Sequence, residues 1–293
     1  MSTDTHSSDN LLAADTAMGA VTLRVADLDG MTRYYRDAIA LQVLSADGPT
    51  VVLGRGTTPV VILEHSPELK HASPRDAGLF HTAVLFDTEE ALAAAVYSVA
   101  QKYPTTFTGS SDHLVSKAFY FNDPENNGVE LYWDRDRSSW SWAHGSIEMS
   151  TLFLDPNEFL QQNLTQEAVD APMIGGASVG HIHLQVGDVP SAREFYVNRL
   201  GFEQTTTYGD QALFVSAGGY HHHMAMNTWN SRGAGPRQIA LGLGQVDIVV
   251  PSTDDVAALS DRLKHFGVQT RDDGQTVRFD DPWANLIQVS AKR

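Results

Sequence analysis

Gly180-His181-Ile182-His183-Leu184-Gln185-Val186-Gly187-Asp188-Val189, with Phe195-Tyr196 following, repeats a pattern that occurs earlier in the chain. The earlier copy is Gly19-Ala20-Val21-Thr22-Leu23-Arg24-Val25-Ala26-Asp27-Leu28, with Tyr34-Tyr35 following. The offset is constant at 161 residues, from position 19 to 180 and from 35 to 196. The alternating residues of each copy read as a strand, because successive strand side chains point to opposite faces. A helix follows, its aromatic pair facing inward. Short β segments come next, at Val51–Leu53 and Val60–Leu63 in the first copy and Ala212–Val215 and His221–Met226 in the second.

Two further stretches have the same order of elements. His81–Phe86 reads as a strand, and Thr88 can cap a helix running to about Tyr103. Strands at Ala118–Phe121 and Val129–Trp133 follow, separated by the turn Asp123-Pro124-Glu125-Asn126-Asn127-Gly128. The last stretch runs from Gln245–Val250 through a helix at Thr253–Phe266 to Val277–Phe279, the turn Asp280-Asp281-Pro282 and Leu286–Val289. The chain therefore reads as four β-α-β-β-β units at about 18–66, 78–134, 177–230 and 243–291. Two domains are expected, 18–134 and 177–293, behind a flexible tail at 1–17. The linker 135–176 carries Trp140, Trp142 and an amphipathic piece near Asn157–Gln162, so it is expected to pack. A repeat by itself speaks only of structure; function must come from what breaks the symmetry.

Composition narrows the classes. The 293 residues are 42% hydrophobic and 19% charged, enough to bury a large core and to exclude global disorder. There is no cysteine, which excludes disulfides, thiolate metal sites and cysteine catalysis. The net charge of −16 repels phosphate backbones, so no nucleic-acid partner is expected. No apolar run approaches the length of a membrane span, and Met1–Asp15 lacks the basic and apolar regions of a signal peptide, so a cytoplasmic location is expected.

Four such units, with a Gly-His strand and a Pro-turn-Gly-x-Glu strand, resemble the vicinal oxygen chelate superfamily, and most nearly its two-domain extradiol ring-cleaving dioxygenases of the catechol 2,3-dioxygenase type. The narrower resemblance rests on His113, Phe119-Tyr120, Asp123-Pro124 and Glu130, spaced as in the extradiol signature. Two positions depart from it: Ser111 and Asn126 stand where glycine is usual. Asn tolerates left-handed backbone, so the turn can survive. The fold implied is α+β, with the four modules forming two cupped, barrel-like mixed sheets.

The resemblance also implies where a metal would sit, since ligands come from the first and last strands of each unit. Unit one offers Ala20 and Val61, and unit four offers Gln245 and Gln288, none a ligand of the expected type. Unit two offers His81 and Glu130; unit three offers His181 and His222. Two imidazoles and one carboxylate with open positions suit Fe(II), and Mn(II) uses the same set. The expected ligands are thus His81, Glu130 and His181. The catalytic candidates are His222 as acid/base, with His113 and Tyr120 contacting substrate. For these residues to meet, unit two must pair with unit three, or a site must be shared across a dimer; a homo-oligomer is a fair expectation in either case.

The substrate class implied is a catechol or hydroquinone, with O2 as co-substrate. Histidine suits the proton traffic, since it titrates near neutrality. Two other readings stay open: a glyoxalase-like metal lyase or isomerase with His222 as fourth ligand, or a non-enzymatic small-molecule binding protein of the same fold. His221 and His223 are expected to point away from His222 by strand alternation. His183 is expected to line the cavity or bond a backbone carbonyl, and Trp140, Trp142 and Trp229 to pack.

Overall fold

A computed structural model describes residues 11–292. The strands, in chain order, are β1 (Ala17–Val25), β2 (Gln42–Asp47), β3 (Thr50–Arg55), β4 (Thr58–His65), β5 (Gly78–Phe86), β6 (Phe107–Asp112), β7 (Ser116–Asn122), β8 (Gly128–Asp134), β9 (Trp142–Ala143), β10 (Ser146–Ile147), β11 (Leu152–Phe153), β12 (Ala177–Gln185), β13 (Glu203–Tyr208), β14 (Ala212–Ser216), β15 (Met224–Asn227), β16 (Gly242–Val250), β17 (Arg271–Asp272), β18 (Thr276–Asp280) and β19 (Leu286–Ala291). The helices are α1 (Leu28–Arg33), α2 (Glu89–Lys102), α3 (Pro156–Asn163), α4 (Gln166–Asp170), α5 (Val189–Arg193) and α6 (Thr253–His265). α1 and α5 each run on into a wider π turn, which carries the aromatic pairs Tyr34-Tyr35 and Phe195-Tyr196.

Local chemistry sets the element ends. The Thr88 hydroxyl accepts from the Ala91 amide at the start of α2, and Ser252 with Asp255 closes a capping box on α6. Asn126 sits at φ +65°, so the turn survives the replacement of glycine as the sequence suggested. Ala284 occupies the same place in unit four at φ +60°.

The described residues form two large mixed sheets and a small two-stranded one. The eight-stranded sheet runs β17-β18-β19-β16-β1-β4-β3-β2, and the nine-stranded sheet runs β11-β6-β7-β8-β5-β12-β15-β14-β13. The first thus joins units one and four through β1 and β16, and the second joins units two and three through β5 and β12. Each curled sheet therefore draws on both halves of the chain and cuts across the division at 135–176. One continuous core links them, with Leu23 and Leu63 from one sheet and Ile182 and Leu184 from the other.

Polar ties fasten the two sheets to each other. The Tyr35 phenol donates to Asp123 at 3.0 Å, and its repeat partner Tyr196 donates to Asp281 at 2.8 Å. Each tie runs from a unit in one sheet to a unit in the other. Glu125 adds a third, accepting from the Ala26 and Asp27 amides at the entry to α1.

Within the linker, α3 buries Phe159 against the core as expected, and Trp140 is buried while Trp142 is exposed. The expected flexible tail at 1–17 is described only in part. Residues 1–10 lie outside the described residues, but Leu12 is buried and its amide bonds the Gly201 carbonyl at 2.8 Å, and Thr16 is buried too. No helix among the described residues is long and apolar enough to cross a membrane.

Candidate metal centre

The strand order β8-β5-β12 sets the last strand of unit two, the first strand of unit two and the first strand of unit three side by side. In register, Ala83 on β5 lies opposite Glu130 on β8 and opposite His181 on β12. Partners opposite each other share a face, so Glu130 and His181 rise on either side of a methyl group. Ala83 is fully buried, and its smallness leaves room for the two head groups to meet above it. His81, two residues back on β5, joins them on that face.

The three side chains converge. Glu130 Oε2 lies 2.9 Å from His81 Nε2 and 3.1 Å from His181 Nε2. Among the described residues this is the one set of His, Asp or Glu side chains whose ligand atoms all lie within 4.8 Å of one another. All three residues are buried. His81 Nε2, although close to the carboxylate, has no partner in hydrogen-bonding direction, and His181 Nδ1 has none either. A buried nitrogen left without a directed partner costs stability unless something else takes its lone pair, and a divalent cation would do so.

Electrostatics suit a cation. Burial pushes the His181 imidazole down to about 4, against the opposing pull of Glu130. Burial would raise Glu130, but the facing imidazoles of His181 and His81 outweigh it and hold its carboxyl well below the usual range. Near neutral pH the set therefore presents a neutral imidazole at His181 and an anionic carboxylate, the protonation states a metal needs.

The other sequence candidates gather beside this set. His113, in the turn after β6, places Nδ1 2.7 Å from the Ser150 carbonyl and Nε2 2.8 Å from the Tyr120 hydroxyl. A carbonyl only accepts, so Nδ1 carries a proton there, and Nε2 faces the Tyr120 hydroxyl. Tyr120 lies directly across β7–β8 from Glu130, and its ring centroid is 5.7 Å from that of His81. Burial, and then the Glu130 charge, push the Tyr120 phenol well above its ordinary value, so it stays a donor.

His222 packs against His181, with ring centroids 4.0 Å apart and the rings tilted at 47°. Its setting differs from expectation. Most of the histidine run lies outside strand: β15 begins only at Met224, because the chain turns through Gly218 and Gly219, both at positive φ, and the first backbone bond to β14 runs from the His223 amide to the Val215 carbonyl. Strand alternation therefore does not govern His221, which turns onto His222. His221 is fully buried and bonds His222 directly, Nδ1 to Nδ1 at 2.7 Å, while His223 accepts from the Ala217 amide.

Several residues escaped the sequence reading. Phe80 is one: with His183 and Trp229, both weighed from the sequence, it forms an aromatic wall next to His81, with ring centroids 5.0 to 5.3 Å apart. His183 bonds the Asn227 side-chain amide at 3.0 Å rather than a backbone carbonyl, and Trp229 remains 45% exposed, at the rim rather than in the core. Tyr132 and Asp134 also reach the site region. They follow Glu130 at intervals of two on β8, so strand alternation from Glu130 was the signal that could have found them.

The family model described as Glyoxalase/Bleomycin resistance protein/Dioxygenase superfamily matches residues 17–131 and 178–289. A curated relative, the catechol-2,3-dioxygenase of Bacillus subtilis (strain 168), is 34% identical over 273 residues, 92% of this chain and 94% of that protein. Among solved structures, a Bacillus subtilis protein provisionally described as a dioxygenase superposes with a TM-score of 0.64 at 12% identity, over 96% of this chain and 86% of that one. Glyoxalase I from Zea mays does so with a TM-score of 0.58 at 15% identity, over 94% and 92%. Those two likenesses speak for the fold. With most of both halves matched by the family model and the four-unit architecture in place, the chain belongs to the glyoxalase/bleomycin resistance protein/dioxygenase superfamily.

Proposed function

We propose that this chain is a non-haem, metal-dependent extradiol dioxygenase that cleaves a catechol- or hydroquinone-type ring with O2. The observation that carries the reading is the convergence of His81, His181 and Glu130 on one buried point. The 34% identical relative named catechol-2,3-dioxygenase supports it. His81, His181 and Glu130 would hold Fe(II), or Mn(II) with the same donor set. Bound there, the ion would supply adjacent open positions for the two oxygens of a diol and for O2.

The chain's own residues do the rest. Glu130 and His181 stay in the protonation states that binding needs. Tyr120 and His113, joined at 2.8 Å, present a paired phenol and imidazole toward the substrate oxygens and orient the ring. His222, buried against His181, holds and moves a proton. Burial drives its pKa well below the ordinary value, so it is a neutral base at the start of a cycle. The wall of Phe80, His183 and Trp229 offers aromatic edges to a flat ring. The lyase alternative needs His222 as a fourth ligand; the converging set holds three residues, without His222, which favours the dioxygenase.

The test is O2 uptake by protein loaded anaerobically with Fe(II), over a panel of catechols and hydroquinones, with His81→Ala alongside. Uptake with a yellow ring-opened product, absent in the variant, is expected. Metal-bound protein that consumes no O2 with any diphenol would overturn the reading.

A further inference from the structure

Behind His222 lies a chain of polar groups that the proposed reaction does not use. His222 Nδ1 lies 2.7 Å from His221 Nδ1, and His221 Nε2 lies 2.8 Å from Asp134 Oδ1. The other oxygen of Asp134 accepts from the Tyr220 hydroxyl at 2.7 Å, and the Tyr220 oxygen lies 2.7 Å from the Tyr132 hydroxyl. The rings are wedged in place: His221 has no exposed surface and packs on Tyr220 and Trp140, with centroids 4.1 and 5.2 Å away. His222 is held between His181 at 4.0 Å and Phe214 at 5.1 Å.

The directions of these bonds follow from what each group can do. A carboxylate only accepts, so His221 must carry hydrogen on Nε2 to bond Asp134. Taken as neutral, His221 has a single N–H, so its Nδ1 is a bare lone pair. Two ring nitrogens at 2.7 Å must be one donor and one acceptor, so the hydrogen between them belongs to His222 Nδ1. Tyr220, having donated to Asp134, takes the Tyr132 hydrogen. Each hydrogen-bonding atom in the run from Tyr132 to His222 Nδ1 is then matched.

We infer that Asp134, acting through His221, fixes His222 as the tautomer protonated on Nδ1, with Nε2 a free lone pair. His221 and Asp134 are positioning residues: they hold the base in its accepting form before substrate arrives. The inference deepens the role proposed for His222 and rests on that reading for its catalytic meaning. The tautomer itself is a property of the metal-free protein and stands apart from turnover.

Two-bond 15N–1H correlation on metal-free protein labelled with 15N-histidine tests it, with signals assigned through their loss in His221→Phe and His222→Asn. His222 is expected to show the pattern of an Nδ1-protonated ring and His221 that of an Nε2-protonated ring. In Asp134→Ala, His222 is expected to lose its single-tautomer pattern. Asp134→Glu, which keeps a carboxylate, is expected to regain it in part. An Nε2 proton on His222 in the wild-type protein, or a His221 ring protonated on both nitrogens, overturns the inference. So does an unchanged His222 in Asp134→Ala. Should Asp134→Ala fail to fold, the wild-type spectrum and His221→Phe still decide. In Fe(II)-loaded enzyme, loss of this support is expected to lower kcat about 10- to 100-fold, the range seen when groups orienting a site are removed, with KM little changed. A correct tautomer without O2 uptake would overturn the dioxygenase reading alone.

Discussion

Replacing Gly180 by alanine should damage the site without touching a ligand. A Cβ at position 180 would fall 1.6 Å from the Tyr132 hydroxyl oxygen, 2.7 Å from Tyr132 Cζ and 3.1 Å from Leu85 Cβ. Tyr132 has no room to yield. It is fully buried, its hydroxyl is bonded to Tyr220 at 2.7 Å, and its ring packs 4.9 Å from that of His181. Forcing an extra methyl into a packed core costs about 1–3 kcal/mol, and breaking the buried phenol hydrogen bond adds about 1 kcal/mol. Gly180→Ala should therefore destabilise the protein by about 2–4 kcal/mol, a fall in Tm of roughly 3–7 °C at this size.

Because Tyr132 is two residues from Glu130 and against His181, metal affinity should fall as well. Urea unfolding of Gly180→Ala, Tyr132→Phe and the double variant separates the causes. Removing the oxygen relieves the closest collision, so the double variant should be more stable than the sum of the singles by about 1–2 kcal/mol. A Gly180→Ala protein within 1 °C of wild type, or strictly additive single variants, would refute the placement of Tyr132 against β12.

Four other outcomes are expected. Fe(II) or Mn(II) at about a hundredfold its Kd should raise stability by about 2.7 kcal/mol in anaerobic thermal melts, and Glu130→Gln should abolish the rise. Ala83→Val should also lose most of that rise, since the branched side chain would stand between Glu130 and His181. Tyr196→Phe, which deprives Asp281 of a donor at 2.8 Å and unties the two sheets, should cost about 1.5–3 kcal/mol in urea unfolding at neutral pH. The last concerns Asp247, whose carboxyl burial raises from 3.8 to about 6 against the Gln245 hydrogen bond. A folded-state pKa above the unfolded one means that this group's contribution is lost as pH rises from about 4 to about 6. Asp247→Asn should thus exceed wild type by about 1–2 kcal/mol at pH 7.5, after allowance for residual solvent contact, and the gap should close below pH 4. Equal stability differences at both pH values would refute it.

Much of this was legible along the chain, because it depends on neighbours in sequence. The 161-residue repeat, the α2 and α6 boundaries and the left-handed Asn126 follow from alternation, capping and turn chemistry that act over a few residues. The occupied ligand positions fall in units two and three alone, so the sequence also pointed to their pairing, which the strand order β8-β5-β12 realises within one chain. What it could not supply was register. Setting Ala83 between Glu130 and His181 takes two strand alignments, one reaching some fifty residues along the chain and the other nearly a hundred, fixed only when whole faces pack.

The histidine run shows the limit from the other side. Its apolar sequel, Met224-Ala225-Met226, is strand, and extending that strand backwards was reasonable on local pattern. Two left-handed glycines and the late start of β14–β15 pairing bend the run into a turn instead, which brings His221 onto His222 and, 87 positions back, onto Asp134. A hydrogen bond between residues so far apart leaves no periodic trace in either segment. The sequence determined which side chains could bind a metal and move a proton; only the folded sheet, by burying them at fixed register, decided which of them meet and in what protonation state.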